Sequence, residues 1–93
     1  MPAEHAERRA RLASAVDAGG ADAALITRLV NVRYLTGLES SNAALLREAD
    51  GKAVLATDGR YTTAAATAAS DLEILQERNI ASALATRAAA DGV

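Results

Sequence analysis

The sequence predicts one small α/β domain, a mixed sheet with a central β-hairpin covered by helices. Two short apolar runs, Ala43–Leu46 and Ala53–Ala56, flank a polar turn at Glu48–Lys52. Asp50-Gly51 inside that turn is a strong hairpin signal, because Gly takes positive φ without steric cost and Asp tolerates it. Neither run alternates with polar residues, which is the pattern of strands covered on both faces. Around this hairpin, segments of helical and extended character alternate, as an α/β layout requires.

Taken in order, Glu4 to Asp17 reads as a helix. Glu4/Arg8 and Glu7/Arg11 are acid-to-base pairs four residues apart, and Leu12, Ala15 and Val16 form a weak inward stripe. Gly19-Gly20 is its C-terminal stop. Ala23–Thr27 reads as the first strand. Leu29 to Thr36 is read as a short helix, with Leu29, Val32 and Thr36 on one face and Gly37 at the position just past its end. Glu39-Ser40-Ser41-Asn42 is a polar loop leading into the hairpin. After the hairpin, Asp58 is expected to cap a helix over Gly59–Ala69, which Ser70-Asp71 breaks. Leu72–Gln76 reads as a strand. Asn79 caps a final helix, Ile80–Ala90, with Ile80, Ala83, Leu84, Arg87 and Ala88 on one face, and Gly92 ends it. An alternating chain would place another strand after Gly92-Val93, so the fold is expected to be incomplete at its last residue.

Ninety-three residues allow a single domain. A chain of this size buries roughly 60–65% of its unfolded surface. Of the apolar residues, 25 are Ala and only 19 are Leu, Val or Ile; Tyr34 and Tyr61 are the only aromatics. Two readings of so thin a core stand side by side: close packing of Ala-rich helices, or apolar surface supplied by another domain or subunit. A net charge of −2 with no basic stripe gives no electrostatic support for nucleic-acid binding. The absence of Cys excludes disulfides and thiolate chemistry. No apolar signal region follows the N-terminus and no window of about 20 apolar residues would span a membrane, so a cytoplasmic location is expected.

The chain lacks a catalytic constellation of its own. His5 is the only histidine and reads as a surface residue. Without a second His or any Cys, metal sites rich in nitrogen or sulfur are excluded, and the acids are scattered along the chain. No base is placed to activate a Ser, and no Gly-rich phosphate loop follows a strand. Arg60 would fall in the first turn of its helix, where a cation opposes the dipole by about 0.3–1 kcal/mol. It either pairs with Asp58 or solvent, or has a fixed task toward another element or an anionic partner group. Tyr61 reads as a core aromatic whose hydroxyl reaches a backbone group.

Three stretches carry a resemblance. Asn31-Val32-Arg33-Tyr34-Leu35-Thr36-Gly37-Leu38, then Ser41-Asn42-Ala43-Ala44-Leu45-Leu46, then Ala56-Thr57-Asp58-Gly59-Arg60-Tyr61 resemble the N-terminal domain of the Xaa-Pro aminopeptidase/prolidase/creatinase family in order and spacing. The similarity runs from about Ala21 to the end. Leu38 stands where Phe is common in that family, and Ser40 and Ala43 replace loop glycines.

The resemblance implies that residues 1–93 form a creatinase-type N-terminal domain that stops before its last strand or strands, with the catalytic domain absent. In such relatives, a C-terminal domain holding two divalent metals hydrolyses the bond before proline. This chain would then be a non-catalytic part of a metallopeptidase, with no cofactor of its own, that mediates oligomer contacts and gates substrate access. Its expected partners are that catalytic domain and further copies of the same protein. By position, Asn31, Tyr34, Glu39, Ser40, Ser41 and Asn42 are the candidates for facing a neighbouring active site, and each also reads as ordinary turn or cap structure. Leu35, Gly37, Asp58, Gly59, Arg60 and Tyr61 are the structural members of the motifs. The alternative is a free-standing α/β module that binds a small molecule or a protein.

Overall fold

The computed structural model describes residues 2–20, 22–48 and 52–90. The element order is α1 (Pro2–Ala18), β1 (Ala23–Ile26), α2 (Leu29–Thr36), β2 (Ala43–Glu48), β3 (Ala53–Thr57), α3 (Thr62–Ala68), β4 (Glu73–Gln76) and α4 (Ile80–Ala90). The four strands form one mixed sheet in the order β1-β2-β3-β4. β1 pairs antiparallel with β2, β2 antiparallel with β3, and β3 parallel with β4. The hairpin is therefore central, as expected. Glu48 N–H donates to Lys52 O at 2.8 Å and closes it; the Asp50-Gly51 turn lies outside the described residues, as does Gly92.

Both faces of the hairpin are covered, and the period of two divides its residues between two cores. Ala43, Leu45 and Leu55 face one side, where α2 contributes Val32 and Leu35, α3 contributes Ala65, and Ala69 follows just past its end. Leu12 of α1 packs against the same cluster. Ala44, Leu46, Val54 and Ala56 face the other side, which α4 covers with Leu84, flanked by Ile80 and Ala88. The small buried Ala residues let helices lie close to the sheet. The larger side chains Leu45, Leu55 and Leu84 are each fully buried, and each contributes about 1.5–3 kcal/mol by leaving water.

α1 carries an anchor that its apolar pattern hid. Arg9 is 2% exposed. Its guanidinium donates to Leu35 O at 2.7 Å and pairs with Asp71. Arg9, Leu12, Ala13 and Val16 make the inward stripe, and Ala15 is exposed rather than inward. The helix stops at Gly19-Gly20, with Gly20 at φ 79°. The surface pairs Glu4–Arg8 and Glu7–Arg11 form at 3.9 and 3.7 Å.

α2 also differs in rotation from its sequence reading. Val32, Leu35 and Thr36 are buried, while Leu29 is 42% exposed. Its exit is fixed from both sides. Gly37 takes φ 81° and its N–H donates to Arg33 O at 2.7 Å. Thr36 Oγ1 donates to Val32 O and accepts from Leu38 N–H.

The expected cap of α3 is not formed. The helix begins at Thr62, after Tyr61, rather than at Gly59. Asp58 Oδ1 accepts the N–H of Arg60, two residues on, at 3.0 Å, and Tyr61 N–H bonds to Asp58 O at 3.0 Å. This local turn competes with a helix start and wins. Arg60 thus precedes the helix and does not oppose its dipole. Asn79, in contrast, does cap α4, with Oδ1 accepting from Ser82 N–H at 3.4 Å.

Candidate functional site

Two places gather the motif residues. The first is the end of the sheet where β2 begins and β3 stops. Asn42 enters β2 and Asp58 leaves β3, and the antiparallel register brings them together: Ala43 pairs with Thr57. Asn42 Nδ2 donates to Asp58 Oδ2 at 3.0 Å and reaches Arg78 O at 3.4 Å. Arg60 grips the same carboxylate from the other side, Nε to Oδ1 at 3.0 Å and Nη2 to Oδ2 at 2.8 Å. Thr57, fully buried, donates to Asn42 O at 2.6 Å. Ser40 Oγ accepts from Asn42 N–H at 2.9 Å. The Ser41 hydroxyl and the Tyr61 phenol share a bond of 2.8 Å, and the Arg60 guanidinium lies 5.1 Å from the Tyr61 ring centre.

The electrostatics follow from this pairing. The bonds from Arg60, and then from Asn42, hold the Asp58 carboxyl far below the usual carboxylate range. The same contact raises Arg60. The Ser41 bonds draw the Tyr61 phenol below its usual value, and the Arg60 charge adds to this. Asp58 is therefore a fixed anion and no proton donor. Of the two readings of Arg60, the structure has the pairing with Asp58. Tyr61 is half-buried rather than a core aromatic, and its hydroxyl meets the Ser41 side chain. Beside this network lies a crevice of about 850 Å³, which Gln76, Glu77 and Arg78 complete.

The second place is the outer surface of α2. Leu29, Val30 and Tyr34 are 42, 63 and 53% exposed. The Arg8 guanidinium stacks over Tyr34, 4.3 Å from the ring centre. Arg8 donates to Tyr34 O at 3.0 Å, and His5 Nδ1 lies 3.1 Å from the same oxygen. His5 and Arg8 thus belong to this surface, which sequence reasoning missed; their spacing along α1 gave no hint of a partner on α2. A Cβ on Gly37 would stand 2.8 Å from His5 Nε2, so the missing side chain makes room for the imidazole. Arg33 pairs with Glu39 at 3.0 Å. Glu39 and Ser40 share a shallow pocket of about 290 Å³ with Leu29, Val30 and Arg33. Asn31 is exposed on α2, with no side-chain bond among the described residues.

The candidates thus divide. Asn31, Tyr34 and Glu39 lie on the α2 side. Ser41 and Asn42 join the Asp58–Tyr61 turn, and Ser40 touches both. Leu35 is buried and Gly37 is the left-handed exit of α2, both structural. Gly59 lies in the turn, where a Cβ would stand 3.0 Å from Gln76 Nε2.

Among the described residues, no three His, Asp or Glu side chains come together as a donor set for a metal ion. The metal pair implied by the resemblance is expected on a separate catalytic domain, and no chemistry through a metal is assigned to the described residues. No helix among the described residues is long and apolar enough to cross a membrane.

Comparison with known proteins bears on all of this. No protein with a curated functional description matches the chain. Among solved structures, the N-terminal domain of the cytoplasmic peptidase PepQ from Mycobacterium tuberculosis is 52% identical, with a TM-score of 0.90 over 94% of this chain and 68% of that one. The creatinase/prolidase-like N-terminal domain of a putative metallopeptidase from Corynebacterium diphtheriae is 44% identical, with a TM-score of 0.83 over 86% of this chain and 64% of that one. A structure of a Xaa-Pro aminopeptidase from Streptococcus pyogenes is 31% identical, with a TM-score of 0.85 over 99% of this chain and 70% of that one. The creatinase/prolidase N-terminal domain family matches residues 8–92. The chain belongs to that family.

Proposed function

We propose that the chain serves as the non-catalytic N-terminal domain of a cytoplasmic Xaa-Pro metallopeptidase, making oligomer contacts and limiting substrate access to a metal-dependent catalytic domain. The observation that carries this reading is the outer surface of α2. Three apolar side chains, Leu29, Val30 and Tyr34, stand in solvent on α2, Tyr34 inside the first family motif and Leu29 and Val30 just before it. Inside the same helix, Val32 and Leu35 are buried, so the exposure is not a failure of patterning. Grouped apolar side chains of this kind mark contact surfaces. Glu39 and Ser40 extend that surface toward the loop entering β2. The N-terminal peptidase domains among its structural relatives support the same reading.

The domain would act by shape and contact, with the two divalent metals and the hydrolytic groups held by the catalytic domain. The test is hydrolysis of Xaa-Pro peptides with added manganese or cobalt. The 93-residue chain alone is expected to release no product. The longer peptidase carrying it is expected to do so, with altered preference for peptide length when Tyr34 is replaced by Ala. Metal-dependent turnover by the chain alone would contradict the proposal.

A further inference from the structure

We propose that the crevice at the carboxyl ends of β3 and β4 binds a small zwitterionic ligand of amino-acid type, its carboxylate held by Arg78 and Gln76 and its ammonium by Glu77. This goes beyond the peptidase reading and does not depend on it.

The topology makes the crevice. β3 and β4 are neighbouring parallel strands. The chain leaving β3 enters α3, which packs on the Leu45/Leu55 face. The chain leaving β4 enters α4, which packs on the opposite, Leu46/Val54 face. Connections that diverge to opposite faces from adjacent parallel strands open a gap outside their carboxyl ends, and open α/β sheets bind ligands at such switch points. Here the gap measures about 850 Å³, within the size range of small-molecule sites.

The lining decides the ligand class. Among the described residues, no apolar side chain lines it. Asp58 and Arg60 neutralise each other through two side-chain bonds, and Asn42 is committed to Asp58 and to Arg78 O. Among the described residues, the side chains of Gln76, Glu77 and Arg78 bind no other side chain and form no ion pair. One planar guanidinium, one amide and one carboxylate are thus left for a ligand. A guanidinium matches a carboxylate with two parallel N–H bonds, and the Glu77 carboxylate accepts from an ammonium. The bond from Asn42 to Arg78 O fixes the backbone that carries the guanidinium. Gly59, with no Cβ, leaves room for the Gln76 amide beside the turn.

The test is a two-dimensional ¹⁵N NMR titration of the whole chain with glycine and with sodium acetate, each against sodium chloride at equal ionic strength. Saturable shifts in the millimolar range, confined to Gly59, Arg60, Gln76, Glu77 and Arg78, are expected, with glycine tighter than acetate. Arg78→Ala is expected to weaken glycine about tenfold, the loss that follows removal of a charged hydrogen-bond partner. Arg33→Ala, on α2, is expected to leave it unchanged. The dispersion of the same spectra reports folding, and Arg78→Gln replaces Arg78→Ala if that variant unfolds. Shifts no larger than those from sodium chloride, acetate binding as tightly as glycine, or glycine binding that survives loss of Arg78 would each overturn the proposal.

Discussion

The turn at Asp58–Tyr61 and the outer surface of α2 both carry family motifs, yet they use their side chains in opposite ways. In the turn, Asn42, Thr57, Asp58, Arg60 and Tyr61 bond to one another or to Ser41. The motif closes on itself and ties the start of β2 to the end of β3. On α2, Leu29, Val30 and Tyr34 present apolar surface outward. A motif residue that satisfies its neighbours holds the fold; one that leaves apolar area in water is available to a partner. Substitutions in the first region should therefore cost stability, and those in the second should cost assembly.

The largest loss is expected at the α2 exit. Gly37→Ala forces a Cβ into the left-handed region and against His5, and should lower unfolding free energy by about 1–3 kcal/mol in a urea titration. Thr57→Val comes next. It removes the donor to Asn42 O inside a fully buried site, and should cost about 1–2 kcal/mol. An equal stability for wild type and Thr57→Val would break the claim that this end of the sheet is held by its own network.

Acid sharpens the same contrast. Asp58 is held below its unfolded value, so its contribution is fully present above the unfolded carboxyl pKa of about 4 and is lost as pH falls toward the folded value. The stability gap between wild type and Asp58→Asn should be constant from neutral pH to about 5 and shrink below about 4. A gap that widens in acid would contradict the pairing. The smallest effect is expected on α2, where Val30→Ser should change monomer stability by no more than about 0.5 kcal/mol.

Much of the architecture was legible because its signals are local and repeated. The unbroken apolar runs at Ala43–Leu46 and Ala53–Ala56 announced strands buried on both faces. The glycines after α1 and α2 marked both helix ends. Part of what escaped depended on contacts distant in sequence, and part on local choices between competing structures. Arg9 reads as one more surface charge until α1 lies against α2 and Asp71 comes within reach. The start of α3 was misplaced because Asp58 bonds to the Arg60 amide, a choice between turn and cap that composition does not decide. Leu29 was expected inward, but the anchoring of Val32, Leu35 and Thr36 rotates it into solvent. For the site, the motif residues were visible as a set. Their division between a closed turn and an open surface needed the register that pairs Ala43 with Thr57.

The contact role proposed for α2 is tested most directly by sedimentation of the proposed longer peptidase, with Leu29, Val30 and Tyr34 all replaced by Ser. A shift to lighter species, with an unchanged circular dichroism spectrum, is the predicted result. An assembly of undiminished mass at the same protein concentration would contradict the account.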